Sequence, residues 1–148
     1  MISISSNSIL RENLSTNILD ANEIFISAHV RKGLTSWCSL SVTATNGAGQ
    51  AQGGNTFFDI DNGVVGSFVP TNSGTQTLAG IRAVSGGFYI WVVVDCQGDD
   101  TFGSTWALRN CTDDLDTTSV FDSVNPGIYM GGVMLVDGAS GELPYIPT

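Results

Sequence analysis

The feature of this chain that most constrains its fold is a two-residue alternation of apolar and polar side chains in short stretches. One face of the stretch EIFISAHVRKG carries Ile24, Ile26, Ala28 and Val30, and the other carries Phe25, Ser27, His29 and Arg31. The stretch SWCSLSVTA divides in the same way, with Cys38, Leu40, Val42 and Ala44 opposite Trp37, Ser39, Ser41 and Thr43. Because side chains of a β-strand point alternately to opposite faces, both stretches are predicted to be strands with one face in a core.

Further stretches extend the pattern to most of the chain. GFYIWVVVD is apolar on both faces, which predicts a central or covered strand. STWALRNC and GIYMGGVMLVDG are also predicted strands, the last including Ile128 to Val136, and turn-rich segments such as TNGAGQAQGGN separate them. We therefore predict one all-β domain over residues 1–148, a jelly-roll β-sandwich of two antiparallel sheets. Only SSNSILRENLSTNILDANE has a helical pattern, although its Asn and Ser residues lower helix propensity.

The charge of the chain excludes several classes of partner. Five Lys and Arg residues stand against 14 Asp and Glu, for a formal net charge of -9. Nucleic-acid binding and binding to an anionic membrane both need clustered basic residues, so neither is expected. The N-terminal residues lack the pattern of a signal peptide, and no apolar run reaches the length of a membrane span. Synthesis in a cytosol is the expectation.

Three cysteines, Cys38, Cys96 and Cys111, are present without a CxxC pair. This spacing does not favour a zinc site, and an odd number leaves at least one thiol unpaired. We expect three reduced, partly buried thiols, with Cys38 in the core.

The sequence shows no catalytic constellation, so we do not expect an enzyme. The single histidine, His29, has no nucleophile that the sequence assigns to it. Asp59 and Asp61 have the spacing of a carboxylate pair, but DIDNG is also typical of a tight hairpin in which Asp and Asn bond their own backbone. The turn is the preferred interpretation.

Two acidic stretches are candidates for calcium binding, because calcium takes several oxygen ligands. The first contains Asp95, Asp99 and Asp100, and the second contains Asp113, Asp114 and Asp116. The alternative is that both are solvated loops. No cofactor is expected apart from this calcium.

Aromatic residues beside polar ones suggest a candidate glycan site, because sugars stack on aromatic rings and bond polar groups. Trp37 shares its face with serines and a threonine, and Tyr89 shares a face with Trp91. If these faces coincide, the candidate ligand-binding residues are Trp37, Tyr89, Trp91, His29 and Arg31. The alternative is that the tryptophans cover a sheet or fill a subunit contact.

Four blocks in order resemble the jelly-roll, carbohydrate-binding-like modules of bacteriophage tail fibres and other virion proteins. The first block matches at Lys32, Gly33 and Trp37, and the hairpin block matches at Phe58, Asp59, Gly63, Val65 and Gly66. A strand block matches at Gly87 and Tyr89. The closing block matches at Gly127, Ile128, Tyr129, Gly132, Leu135, Gly138 and the last four residues, Tyr145, Ile146, Pro147 and Thr148. Where the family has Trp, Gln and Glu in the last strand, this chain has Gly131, Met134 and Val136.

The resemblance implies a non-enzymatic component of a bacteriophage virion, made in the bacterial host cytoplasm. Because the departures remove polar and aromatic positions, it implies the fold and the virion setting more directly than sugar binding. We expect a capsid or tail decoration component that other virion proteins hold by protein contacts. A closed homo-oligomer such as a trimer is expected, with residues 1–22 as the anchoring segment. The alternative is a glycan- or receptor-binding module at a tail-fibre or head-fibre tip, with a host surface glycan as its ligand.

Overall fold

The computed structural model describes residues 2–4, 10–14, 23–45, 48–96, 104–116, 127–138 and 141–144. These residues form ten strands and no helix: β1 Ile2–Ile4, β2 Leu10–Leu14, β3 Glu23–Lys32, β4 Trp37–Thr45, β5 Ala51–Asp59, β6 Val64–Thr71, β7 Thr75–Val84, β8 Gly87–Asp95, β9 Ser104–Cys111 and β10 Ile128–Asp137. A membrane-spanning helix is therefore not found in this part of the chain.

The strands make two five-stranded antiparallel sheets. The first sheet has the order β1-β10-β3-β8-β7 and the second has the order β2-β9-β4-β5-β6. Strand β9 lies between β2 and β4 in the second sheet, and β10 lies between β1 and β3 in the first. Late strands inserted between early ones in both sheets are typical of a jelly roll. The predicted all-β jelly-roll sandwich is confirmed.

The core lies between the sheets and uses the faces that alternation predicted. Ile24, Ile26, Ala28 and Val30 of β3 are fully buried, as are Cys38, Leu40 and Val42 of β4. Strand β8 lies between β3 and β7, and its buried residues belong to two apolar clusters, one on each side of the sheet. The prediction that GFYIWVVVD is a central, covered strand is confirmed. The last strand contains the predicted Ile128 to Val136.

The helical pattern in the N-terminal segment is a wrong prediction for the residues described there. Leu10–Leu14 is strand β2, which pairs with β9, and Ile2–Ile4 is strand β1, which pairs with β10. Edge pairing satisfies backbone groups of β9 and β10 that would otherwise stay open, and the Asn and Ser residues give the helix little competing propensity. The rest of the predicted anchor, residue 1, residues 5–9 and residues 15–22, lies outside the described part.

All three thiols are free and buried, as expected from the sequence. Burial raises the pKa of Cys38 well above its usual range, and it raises the pKa of Cys96 to about 12 and that of Cys111 to about 11.

Candidate functional site

A groove with polar walls crosses the outer face of the second sheet. Its volume is about 370 Å³, and its described lining comes from β4, β5, β6, β9 and the segment after β9: Ser41, Thr43, Asn55, Phe57, Val69, Thr71, Thr105, Ala107, Arg109 and Leu115. We call this the polar groove. It forms because the inward residues of each strand fill the core and leave the alternate residues outside.

The strand register sets the groove residues in rows across the sheet. One row aligns Ala107, Ser41, Asn55 and Val69. The next row aligns Thr105, Thr43, Gly53 and Thr71. Gly53 contributes no side chain to its row, and its φ of 146° brings the backbone against Val42 of β4 so closely that a Cβ would clash. A residue other than glycine at this position would therefore force β4 and β5 apart.

Two buried polar atoms of the groove residues have no hydrogen-bond partner among the described residues. They are Oδ1 of Asn55 and Nε of Arg109. A buried acceptor or donor without a partner costs about 1–3 kcal/mol of stability. Both residues line the same groove.

The segment Thr112–Asp116 stands at one end of the groove and is tied to β6. Both carboxylate oxygens of Asp114 accept hydrogen bonds from Ser67, from its backbone N–H at 2.9 Å and from its hydroxyl at 2.7 Å. The next residue, Leu115, lines the groove, is 60% exposed and has a φ of 66°. A leucine in this left-handed region is strained, and such strain is concentrated at functional positions.

In the second acidic stretch, all three carboxylates accept hydrogen bonds from protein groups. Besides Asp114, the carboxylate of Asp116 accepts a hydrogen bond from the Thr112 hydroxyl at 2.7 Å, and Asp113 accepts one from the Asp114 backbone at 2.8 Å. For the first stretch, Asp95 ends β8, while Asp99 and Asp100 lie outside the described residues. The described residues hold no cluster of three or more metal-ligating side chains. Calcium binding at Asp95, Asp99 and Asp100 stays a prediction.

The aromatic residues predicted for a glycan site lie on two opposite faces of the sandwich. His29, Arg31, Tyr89 and Trp91 belong to the outer face of the first sheet, where β3 pairs with β8. Trp37 belongs to the outer face of the second sheet and is half-buried, with its ring near Gly66. The condition that these faces coincide is not met.

The face of the first sheet is also covered. Tyr89 and Trp91 stack with ring centroids 5.5 Å apart, and they pack in an apolar cluster with Leu143 of the C-terminal segment. The Tyr89 hydroxyl donates a hydrogen bond to the Leu143 carbonyl at 3.0 Å. Tyr89 is fully buried and Trp91 is 9% exposed, so neither ring offers an open platform. Here the alternative interpretation, that Trp91 covers a sheet, agrees with the structure.

His29 and Arg31 also lie at the first sheet. Burial, followed by the charge of Arg31, lowers the pKa of His29. The guanidinium of Arg31 lies over the Tyr129 ring, 4.3 Å from its centroid.

The DIDNG turn is confirmed, and the Asp59 carboxylate bonds the backbone of the turn. Asp59 Oδ1 accepts hydrogen bonds from the backbone N–H of Asp61 at 2.9 Å and of Asn62 at 3.1 Å. Burial raises the pKa of Asp59, but hydrogen bonds from Asn62 and Asp61 outweigh it and hold that pKa below its usual value. Asp61 forms an ion pair with Lys32, and this contact with the Ser36 hydrogen bond lowers the pKa of Asp61.

Only part of the groove is evident from the sequence. Alternation places Ser41 and Thr43 on an outward polar face, but it does not show which other strands lie beside them. The alternation of Thr105, Ala107 and Arg109 with buried Trp106 and Leu108 is the signal that could have added β9. Neither the scan against protein-family models nor the search of curated proteins gave a match for this chain.

Proposed function

We propose that this protein is a non-enzymatic binding module that holds a saccharide in the polar groove. The observation that carries the proposal is the groove lining, which combines four hydroxyl side chains, one amide and a few apolar side chains. A hydroxyl group both donates and accepts hydrogen bonds, so these side chains match the hydroxyl groups of a sugar. The apolar residues match the C–H faces of the ring.

The groove supports binding rather than catalysis. Its described lining contains no Asp, Glu, His or Cys side chain, the residues that most often serve as general acids, bases and nucleophiles. The described lining includes one ionisable side chain, that of Arg109, and a guanidinium has hydrogen-bond donors but no acceptor.

The setting of the proposal comes from the sequence resemblance to bacteriophage virion modules. In that setting the protein is made in the bacterial cytoplasm and displayed on the particle, and the saccharide belongs to the host surface. The module then serves receptor binding at a tail-fibre or head-fibre tip.

A second candidate function, a decoration or structural component of the particle, is favoured by one edge of the sandwich. Strands β6 and β7 are edge strands of their sheets, and the turn 72–74 joins them. The chain has no charged residue from Val64 to Ile81, and Val64, Val69 and Leu78 are exposed there. Edge strands of monomers are usually protected by charge, so this uncharged edge favours contact with another protein or a second copy.

The saccharide proposal is tested by filling the groove. The variant Ser41→Trp places a large ring in the row between Ala107 and Asn55, and Thr77→Trp places the same ring on exposed β7 as the matched control. We expect the fluorescently labelled protein and its control to bind susceptible bacterial cells and an array of bacterial surface saccharides. The groove variant should lose this binding while keeping its thermal unfolding midpoint. Equal binding by all three proteins would refute the proposal.

The edge proposal needs a separate experiment. Lysines at Val64 and Leu78 should turn the exposed edge into a charged one, which lowers self-association and incorporation into particles. Solution mass and copies per purified particle are the measurements. Unchanged mass and unchanged copy number in the double variant would contradict a role for this edge.

A further inference from the structure

We propose that the saccharide unit held in the polar groove carries a carboxylate, and that Arg109 binds it. This inference rests on the proposed saccharide function of the same groove and names the chemical class of its ligand.

The basic side chains of the protein differ in whether they have partners. The structure describes four of them, and three have partners: Lys32 pairs with Asp61, Arg82 pairs with Glu142, and Arg31 lies over Tyr129. Arg109 forms no ion pair with any described residue, and its buried Nε lacks a hydrogen-bond partner among them. The chain has 14 acidic residues, yet this groove-lining arginine has no carboxylate partner among the described residues, unlike Lys32 and Arg82.

The acidic loop at the end of the groove does not form an ion pair with this arginine. Asp114, in the loop that forms the groove end, uses both oxygens on Ser67. Asp113 faces the backbone of its own loop, and Asp116 accepts from Thr112. None of these hydrogen bonds involves the Arg109 guanidinium.

The strand register places Arg109 beside the hydroxyl side chains of the groove. Arg109 pairs in register with Ser39, next to the row that holds Ala107, Ser41 and Asn55. A guanidinium has a planar fork of donors that matches the two oxygens of a carboxylate. With the charge bound at Arg109, the hydroxyl groups of the same sugar ring match the hydroxyl side chains of the lining, such as those of Ser41 and Thr43. Uronic acids combine a carboxylate with ring hydroxyls in this way.

The experiment compares matched saccharides that differ only in charge. Oligosaccharides of glucuronate, galacturonate and mannuronate are each titrated beside their carboxyl-reduced forms, in which a primary alcohol replaces the carboxylate. We expect at least one acidic form to bind about tenfold or more tightly than its reduced form, the size typical of a charge-assisted hydrogen bond. The preference should shrink as salt is added, because salt screens the attraction.

Three variants assign the preference to Arg109. In Arg109→Gln the acidic and reduced forms should bind equally, whereas Arg109→Lys should keep part of the preference by its charge. The matched control Arg82→Gln removes an exposed cation at the first sheet and should leave the preference unchanged. Thermal unfolding of each variant shows that it is folded.

The outcomes separate the two proposals. If neutral saccharides bind in the groove and acidic ones bind no better, the carboxylate inference fails while the saccharide function stands. If no saccharide of either kind binds, both fail. Binding of acidic peptides with an Arg109-dependent preference and no saccharide binding would also overturn this inference.

Discussion

Asp114 holds Ser67 with both carboxylate oxygens, one on the backbone N–H at 2.9 Å and one on the hydroxyl at 2.7 Å. The two residues are 47 positions apart, so this contact fixes the loop after β9 to strand β6. Through this contact the loop presents Leu115 to the polar groove. The adjacent Gly66 has no room for a Cβ, because one would meet the Trp37 ring and the Asp114 carboxylate.

The first prediction concerns the loss of the two hydrogen bonds between Asp114 and Ser67. Asp114→Ala should lower the free energy of unfolding by about 1–3 kcal/mol, because it deletes two hydrogen bonds to a charged, half-buried group. It should also weaken saccharide binding, because Leu115 loses its support. Urea unfolding and a saccharide titration measure the two effects. The control Glu142→Ala removes an exposed carboxylate with a 3.4 Å ion pair, which should cost under about 0.5 kcal/mol. An Asp114 variant as stable as this control would show that the hydrogen bonds between Asp114 and Ser67 do not stabilise the fold.

The second prediction separates stability from binding at Leu115. Asparagine tolerates the left-handed region that strains leucine, so Leu115→Asn should raise the free energy of unfolding by about 1 kcal/mol. The same change removes the apolar side chain from the groove end, so saccharide affinity should fall several-fold. Leu34→Asn is the matched control, because Leu34 is also an exposed loop leucine but has no positive φ. A stability decrease in Leu115→Asn would show that the residue is not strained.

The third prediction concerns acid. Hydrogen bonds hold the pKa of folded Asp59 below its ordinary value of 3.8, so the unfolded chain takes up the proton first as pH falls. The stability that Asp59 contributes is therefore full above the ordinary pKa and is lost as pH falls through the folded pKa. Between about pH 5 and about pH 2.5, the wild type should lose more stability than Asp59→Asn. Equal losses in urea unfolding would contradict this account of the turn.

The fourth prediction concerns the thiols. Cys38, Cys96 and Cys111 are buried and their pKa values are raised, to about 12 for Cys96 and about 11 for Cys111. Since the thiolate is the reactive form, a thiol reagent at neutral pH should label none of them in the folded protein and all three in denaturant. Labelling of only one in denaturant without reductant would show a disulfide. Rapid labelling of the folded protein would contradict the burial.

Strands β3, β4, β8, β9 and β10 were predictable because the pattern of apolar side chains along a strand is a local property. Ile24 and Ile26 had to face a core whichever strands became neighbours, and the apolar faces of β8 had to be covered on both sides. The Asp59 turn was predictable for the same reason, since its bonds reach only Asp61 and Asn62.

The candidate site was not predictable from such local patterns. Trp37 and Trp91 each alternate correctly, but only the winding of the chain puts β4 and β8 in different sheets. The groove joins β4 with Asn55 of β5 and Arg109 of β9, and those residues are close because of long-range pairing. Strands β1 and β2 were missed because short edge strands depend on the sheet that they complete.

The central claim, that the polar groove binds a saccharide, is tested most directly by mapping amide chemical shifts while the tightest-binding oligosaccharide is added. We expect the largest changes at Ser41, Thr43, Asn55 and Thr105, with the amides of Ser27 and Trp91 on the first sheet unmoved. Largest changes on the first sheet, including its edge strand β7, with the groove amides unmoved, would contradict the claim.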